Sequence, residues 1–512
     1  MAFPKSFLAF LAFGISVFAQ NEFQTVLDTR PEHLGETFHH PIRRVAVVGA
    51  GPAGLQAAAN LIEHNFAVRL FERAPHPGGN WLYSEETPIR EPYPDMPVGQ
   101  NPDLDIPYQL PIKRYYNDGD DDLTLNHRWT EHWRPRPVWY NLFTNSPKVS
   151  TELPDVTYHP GTPWVLSHQA IQRHVRSYAS HHCINSNDYC PATPSAPRVA
   201  SYSTRVEKVE KDAEVLTLRR LERLQYSNQI LEEWWTETFD AVVLATGPYT
   251  SAHVPEIDGI VDWSKAKEGE HYSIYHSQSY RHPERYARKT VLIVGASVSA
   301  SEIARDISPF VHRIIASVRP PTKPIGTRLR SLSRFPNTTE LVPEIASFEP
   351  LKTHTDGIRE GKIHLINGST LQGIDEIILA TGYQSTAFNR TLFFAYIFAL
   401  KRINSPARPH ANTSWMGHYI PDPTLAYSSS RAWTMGRYQY YGLAKLWEGT
   451  ARLPPPEEIE EPDTRPEVWL GEGTPHWLHR ETQLFRRYIT WLNDASLEYG
   501  GRFVQPPPIE YV

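Results

Sequence analysis

The apolar positions of this chain fall into strand–turn–helix units, and one unit occurs twice. Val45 to Val48 is an uninterrupted apolar run, mostly β-branched, of the length of a buried parallel strand. Gly49, Gly51 and Gly54 follow in G-x-G-x-x-G spacing, with Pro52 and Ala53 between the last two. Leu55 to Ile62 then reads as a helix packed on that strand. A second strand, Ala67 to Phe71, ends at Glu72. The pattern returns at Thr290 to Val294, with Gly295, Ser297 and Ala300 at the three glycine positions, Ser299 between them, and a second strand from Arg313 to Arg319. Two more apolar strands stop at the same tripeptide, Ala245-Thr246-Gly247 and Ala380-Thr381-Gly382.

Between these units the periods change. Residues 198–240 alternate in period two and predict a small antiparallel sheet. Ser167 to Tyr178 has helical period, with Ile171, Val175 and Tyr178 inward and His168 and His174 on the exposed side. The Pro- and Tyr-rich stretch up to Arg136 has little period and is expected to wrap the surface. Trp415, Trp433, Trp447 and Tyr438 to Gly442 are expected in a core. The fold class is α/β, with two Rossmann-like dinucleotide-binding domains. The first spans 41–255, the second is inserted as 256–349, and 350–512 returns to the first and carries the C-terminal region.

The turns carry the chemistry. In the first, Gly49 permits the sharp bend, Gly51 lets a pyrophosphate approach the backbone, and Gly54 lets helix and strand touch. Glu72 stands where a ribose hydroxyl needs an acceptor. At the second site no acid ends the second strand. Ser317 and Arg319 stand there instead and suit a 2′-phosphate that an acid would repel. The first site therefore suits FAD and the second NADPH, with the hydroxyls of Ser297 and Ser299 near its phosphates. The paired glycines before Asn80 and Trp81 allow close backbone approach, so Gly79, Asn80 and Trp81 can border an isoalloxazine ring. Thr144 and Asn145 can donate hydrogen bonds to a cofactor ring. The strand ends at Thr246-Gly247 and Thr381-Gly382 can turn backbone amides toward a ligand.

Composition narrows the partners. The 512 residues carry a net charge of -6 with no long basic run, which argues against nucleic acid. Asp118 to Asp122 reads as a solvated loop. The two cysteines, Cys183 and Cys190, fit no metal site. They either close a small loop or stay as free thiols. Lys5 followed by an apolar run from Phe7 to Phe18 reads as a secretory signal peptide ending near Ala19, since a span takes about 20 residues. Four glycosylation sequons, at Asn337, Asn367, Asn389 and Asn412, agree with the endoplasmic reticulum lumen or secretion. Any membrane association would then not use a spanning helix.

From Arg44 to Tyr383 the order of motifs resembles the flavin-containing monooxygenase family. Gly49 to Gly54 is similar to its FAD motif, Gly78 to Trp81 to its G-G-x-W turn, and Thr144 to Lys148 to its T-N-x-P-K stretch. His276 to Tyr280 is similar to the end of its F-x-G-x-x-x-H-x-x-x-Y fingerprint, although Glu270 and Tyr272 replace the Phe and Gly. Tyr280 stands where related Baeyer–Villiger enzymes have Trp, which favours oxygenation of a heteroatom. The resemblance implies an FAD-, NADPH- and O2-dependent monooxygenase, and the secretory signal suggests one of fungal biosynthetic type. It would work through a C4a-hydroperoxyflavin on an amine or thioether of a small molecule or peptide. It also implies that the Asn145 amide is the main catalytic contribution of the protein. The rival readings are an NADPH oxidase that releases hydrogen peroxide and a catalytically silent nucleotide-binding scaffold.

Overall fold

A computed structural model describes residues 38, 41–89, 106–185, 198–210, 215–319, 332–384, 414–419, 422–428, 433–454 and 476–505. The signal segment, Arg90 to Asp105, and the sequons at Asn389 and Asn412 lie outside them.

The first sheet is built on Arg44–Val48, which lies between Ala67–Phe71 and Ala241–Leu244 in parallel register. Ala200–Ser201 extends it on one side and Leu425–Tyr427 on the other, also parallel. His418–Tyr419 and Ser414–Trp415 complete that edge antiparallel. Asp240 sets the register, its carboxylate accepting from the amides of Arg43 and Arg44. Helix Pro52–Glu63 opens on proline, whose fixed φ suits a first turn. Its run of Ala57, Ala58 and Ala59 is buried between the sheet and helix Trp433–Trp447. The expected C-terminal core is present: Tyr438, Tyr440, Tyr441 and Trp447 are buried, with Tyr488 and Leu492 from helix His476–Tyr499 beside them.

Helix His168–His181 turns Ile171, Val175 and Tyr178 inward as expected. The reading of His168 and His174 as exposed is wrong. Both are buried because each ring has a backbone partner that one-dimensional period does not show. His168 Nε2 bonds the Tyr140 carbonyl, and His174 Nε2 accepts from the Leu153 amide. Burial lowers the His174 pKa to about 4, which keeps the ring neutral and able to accept.

The small antiparallel sheet is present as Thr204–Glu210, Val215–Leu224 and Gln229–Thr238. A fourth strand, Ile112–Tyr116, pairs with Gln229–Thr238. It comes from the stretch expected to lack regular structure, as does helix Leu125–Trp133, capped by the Thr124 hydroxyl. The strand alternates only weakly in residue type because Arg114 takes an inward, half-buried position beside Glu232 while aromatic Tyr115 points outward and is exposed. The acidic turn is largely exposed, and Asp118 accepts from the Leu125 amide ahead of that helix.

The second sheet holds five parallel strands in the order Ile274–His276, Glu376–Leu379, Thr290–Val294, Arg313–Ser317, Thr339–Val342. This corrects the boundary at residue 349. Glu376–Leu379 sits inside the second sheet, so the inserted domain runs on to Leu379. An apolar run signals a buried strand but not which sheet buries it. The domains are joined by a short ribbon, Ser251–Ala252 against Tyr383–Gln384. Among the described residues no helix is long and apolar enough to cross a membrane. Cys183 is disulfide-bonded, and the one other cysteine in the sequence, Cys190, lies outside the described residues.

Candidate active site

The first glycine turn is a backbone surface with no room for side chains. A Cβ at Gly54 would come 1.9 Å from the Gly49 carbonyl oxygen, and one at Gly49 would come 2.5 Å from that of Ala245. The G-G-x-W turn lies directly on this loop: a Cβ at Gly79 would meet the Gly51 Cα at 2.7 Å, and the Gly78 amide donates to the Ala50 carbonyl. Asn80 reaches toward Gly247, whose φ of +69° suits glycine. A narrow, bare-backbone cradle at a helix N-terminus fits a flavin dinucleotide's pyrophosphate. Trp81 packs edge-on against Trp433 at 6.3 Å, so part of its surface is spent on the C-terminal helix.

Glu72 does more than the sequence indicates. It is 3% exposed. Its Oε2 accepts from the Ala50 amide at 2.8 Å, and Oε1 from the Ala74 amide at 2.9 Å and Arg136 Nη2 at 3.0 Å. A carboxylate has about four acceptor positions, so one is left for a ribose hydroxyl.

The second turn copies the first. A Cβ at Gly295 would lie 2.4 Å from the Ala380 carbonyl, as Gly49 lies against Ala245. Each glycine turn is thus backed by an Ala-Thr-Gly strand end. Ser297 sits at the N-cap of Val298–Ile307 with its hydroxyl uncommitted to the helix, and Ser299 is half-buried within the first turn. Arg319 is exposed at the strand end. One expectation here needs correcting, and a second residue has a further role. Ser317 is buried and donates its hydroxyl to the Pro343 carbonyl at 3.0 Å, so that proton is unavailable to a 2′-phosphate. Thr381 donates its hydroxyl to the His253 carbonyl, while the Gly382 carbonyl accepts from the His253 amide. Both act as fasteners of the interdomain ribbon. Thr246 and Gly247 remain exposed at the first sheet's end.

Thr144 and Asn145 lie on a short ribbon. The Thr144 amide donates to the Leu166 carbonyl, and Phe143 pairs antiparallel with Ser167. Alternation along the ribbon separates the two residues. Thr144 faces inward, its hydroxyl donating to the Ser146 carbonyl and accepting from the Leu166 amide. The expectation that it donates to a cofactor ring is therefore wrong. Asn145 faces outward, between Phe143 (56% exposed) and Val165 (45% exposed). Of its apolar neighbours in the chain, Phe143 shares this open face, whereas Leu142 packs inward.

The fingerprint segment bridges the domains. His276 donates from Nε2 to the Gly382 carbonyl and accepts at Nδ1 from the Gln278 amide. Burial lowers its pKa to about 4, so it is neutral, fixed in one tautomer, and structural. Arg281 is buried and gives its guanidinium to five carbonyls, those of Ser84, Glu86, Arg136, Gln278 and Tyr280.

A family model described as flavin-binding monooxygenase-like matches residues 121–329, and one for an NAD(P)-binding Rossmann-like domain matches residues 47–97. Flavin-containing monooxygenase iboF of Amanita muscaria (strain Koide BX008) is 33% identical over 505 residues, covering 92% of this chain and 91% of its own. The chain belongs to the flavin-containing monooxygenase family. Flavin-containing monooxygenase ustF2 of Aspergillus flavus is 29% identical, over 88% of this chain and 92% of its own. Among solved structures, Tmm from Pelagibacter sp. strain HTCC7211 superposes with a TM-score of 0.56 at 16% identity, covering 89% of this chain and 86% of its own. S-allyl-L-cysteine S-oxygenase from Allium sativum gives 0.54 at 19%, covering 90% of each chain. These two establish the shared fold.

As a flavin-containing monooxygenase the protein uses FAD and NADPH. Sequence reasoning missed Arg136 and Arg281. Arg136 reaches Glu72, and Arg281 the Ser84, Glu86 and Arg136 carbonyls, across long stretches of chain, and neither stands in a recognisable motif. The one available signal was position: Arg281 directly follows Tyr280, and Arg136 ends the proline-rich stretch.

Proposed function

We propose that this flavin-containing monooxygenase adds one oxygen atom of O2 to a nitrogen or sulfur of a small molecule or peptide. FAD bound on the first glycine turn supplies the oxygen-activating chemistry, and NADPH on the second supplies the hydride. The observation that carries the reading is the pair of equivalent glycine turns joined by one ribbon, with an outward carboxamide on the neighbouring turn. Gly49, Gly51, Pro52, Ala53 and Gly54 hold the FAD pyrophosphate, Glu72 its ribose, and Gly79, Asn80 and Thr246-Gly247 the approach to the ring. Gly295, Ser297 and Ser299 hold the coenzyme phosphates. Asn145 offers a neutral donor and acceptor that does not titrate near neutral pH, so it can orient oxygen without delivering a proton that would expel peroxide. Tyr280, buried in the fingerprint segment, supports a heteroatom as the site of attack.

The test is to supply FAD-loaded enzyme with NADPH, oxygen-18 gas and a panel of thioethers and amines. Labelled sulfoxide, hydroxylamine or N-oxide, formed one per NADPH consumed, is expected. Electrons recovered wholly as hydrogen peroxide across the panel would instead identify an oxidase. A protein that stays colourless with FAD supplied would be a silent scaffold.

We further propose that the enzyme works in the secretory pathway. The Cys183 disulfide supports an oxidising compartment. Asn337 and Asn367 are exposed, as glycan acceptors must be.

Coenzyme choice follows from Arg319. A charge-assisted contact to the 2′-phosphate contributes about 1.5–3 kcal/mol, or roughly ten- to a hundredfold. Arg319→Ala is expected to raise the KM for NADPH by that factor and leave NADH kinetics nearly unchanged. Equal losses with both coenzymes would remove Arg319 from the phosphate site.

A further inference from the structure

Helix Val298–Ile307 has its coenzyme-facing N-terminus at Ser297, and about 14 Å away, in its last turn, stands Asp306. An acid there opposes the helix dipole, so its presence calls for a partner outside the helix. It has two. Tyr280, fully buried, donates its hydroxyl to Asp306 Oδ2 at 2.6 Å, and Asn141 donates from Nδ2 to Oδ1 at 3.0 Å. Tyr280 belongs to the interdomain fingerprint. Asn141 lies on the turn that leads, four residues on, to Asn145. Further contacts run the same way: the Tyr140 amide donates to the Arg281 carbonyl, and Trp139 packs edge-on against Tyr280 at 5.8 Å. One carboxylate therefore joins the far end of the coenzyme helix to the turn that presents the outward carboxamide.

We propose that Asp306 is a positioning residue that fixes Asn145 when the coenzyme seats on the other end of its helix. This rests on the role given to Asn145 above. The helix acts as a rigid rod, its N-terminus held by the coenzyme phosphates and its last turn by Asn141. Losing the Asp306 link leaves both nucleotide sites and the Tyr140–Arg281 and Thr144–Leu166 bonds in place, but removes the direct tie between the coenzyme helix and the Asn145 turn, so the turn responds less to the coenzyme.

Two readouts test this in the FAD-loaded full chain. The first is hydrogen–deuterium exchange of residues 139–148 with and without NADP+. In the wild type NADP+ is expected to slow exchange across this turn. In Asp306→Ala that protection falls by about tenfold, the order expected when a charge-assisted hydrogen bond is lost. The second is NADPH oxidation without added substrate, where hydrogen peroxide release should rise several-fold while the KM for NADPH stays within about twofold. Asn141→Ala, an exposed position, removes the same link without touching the Tyr280 core and should reproduce both effects. The double variant should then be no worse than Asp306→Ala alone. Asp306→Asn retains an acceptor and should recover part of the protection. Wild-type protection and peroxide release in Asn141→Ala would overturn the proposal, whether or not Asp306→Ala folds. Asn145→Ala, measured alongside, separates the two ideas. If it releases peroxide and the Asp306 and Asn141 variants do not, the link fails and the role of Asn145 stands. If it behaves as wild type, the role of Asn145 fails, and the link as proposed fails with it.

Discussion

Replacing Glu72 by alanine is expected to destabilise the protein by about 3–5 kcal/mol even with no flavin present, the usual effect of removing one partner of a buried ion pair. The change strands three donors at once: the Arg136 guanidinium, 7% exposed at its side chain, and the amides of Ala50 and Ala74. A ribose hydroxyl alone would have given a smaller effect, confined to FAD retention. Glu72→Gln should fall between the two. It keeps the side-chain shape and one oxygen acceptor but leaves Arg136 without a counter-charge. The decisive comparison is the denaturation midpoint of flavin-stripped protein, set beside FAD content after gel filtration. Stripped Glu72→Ala that melts with the wild type would mean that Glu72 serves the ribose and little else.

The same residue shows how much the sequence tells. Spacing placed Glu72 at the right strand end, and the structure keeps it there, because strand length and turn geometry are local properties. Its three donors come from residues 50, 74 and 136, and the last of these has no motif to mark it. The glycines were legible for the same local reason: Gly49 and Gly54 face backbone atoms within their own unit or the adjoining strand. The serine and threonine hydroxyls were not. Ser317, Thr144 and Thr381 look identical in sequence to ligand-binding residues, but each donates its proton to a main-chain carbonyl of the protein. A hydroxyl has one proton to give, so its first partner decides its function. Sheet membership was similarly hidden. Ile377 and Ile378 would be equally buried in either parallel sheet, and only their pairing with Leu292 and Ile293 fixes the second. Arg281 is the extreme case, a buried cation whose partners are all main-chain carbonyls, which leave no side-chain signature.

Asn145→Asp is expected to keep oxidising NADPH while diverting most of the electrons to hydrogen peroxide. The substitution preserves shape and exchanges two N–H donors for a negative charge. Asn145 is exposed, so the fold should barely notice, with a change inside about 0.5 kcal/mol. The effect on chemistry depends on what covers the residue. In open water a unit charge at 4 Å acts with about 1 kcal/mol, and at a partly covered protein surface with about 4 kcal/mol. Phe143 and Val165 flank Asn145 on the same ribbon face and supply two apolar walls of such a cover. Bound cofactors would supply the rest. Loss of one preorganised donor to a developing oxyanion lowers rates by about a hundredfold or more, and a similar loss of hold on oxygen is expected here. Asn145→Ala isolates the donor from the charge and should divert fewer electrons than Asn145→Asp. Raising salt should narrow the gap between the two variants if the site stays wet and leave it unchanged if the cofactors seal it. Peroxide and oxygenated product are counted per NADPH in each case. A wild-type ratio in both variants would reduce Asn145 to a ribbon residue and move the control of oxygen to another group.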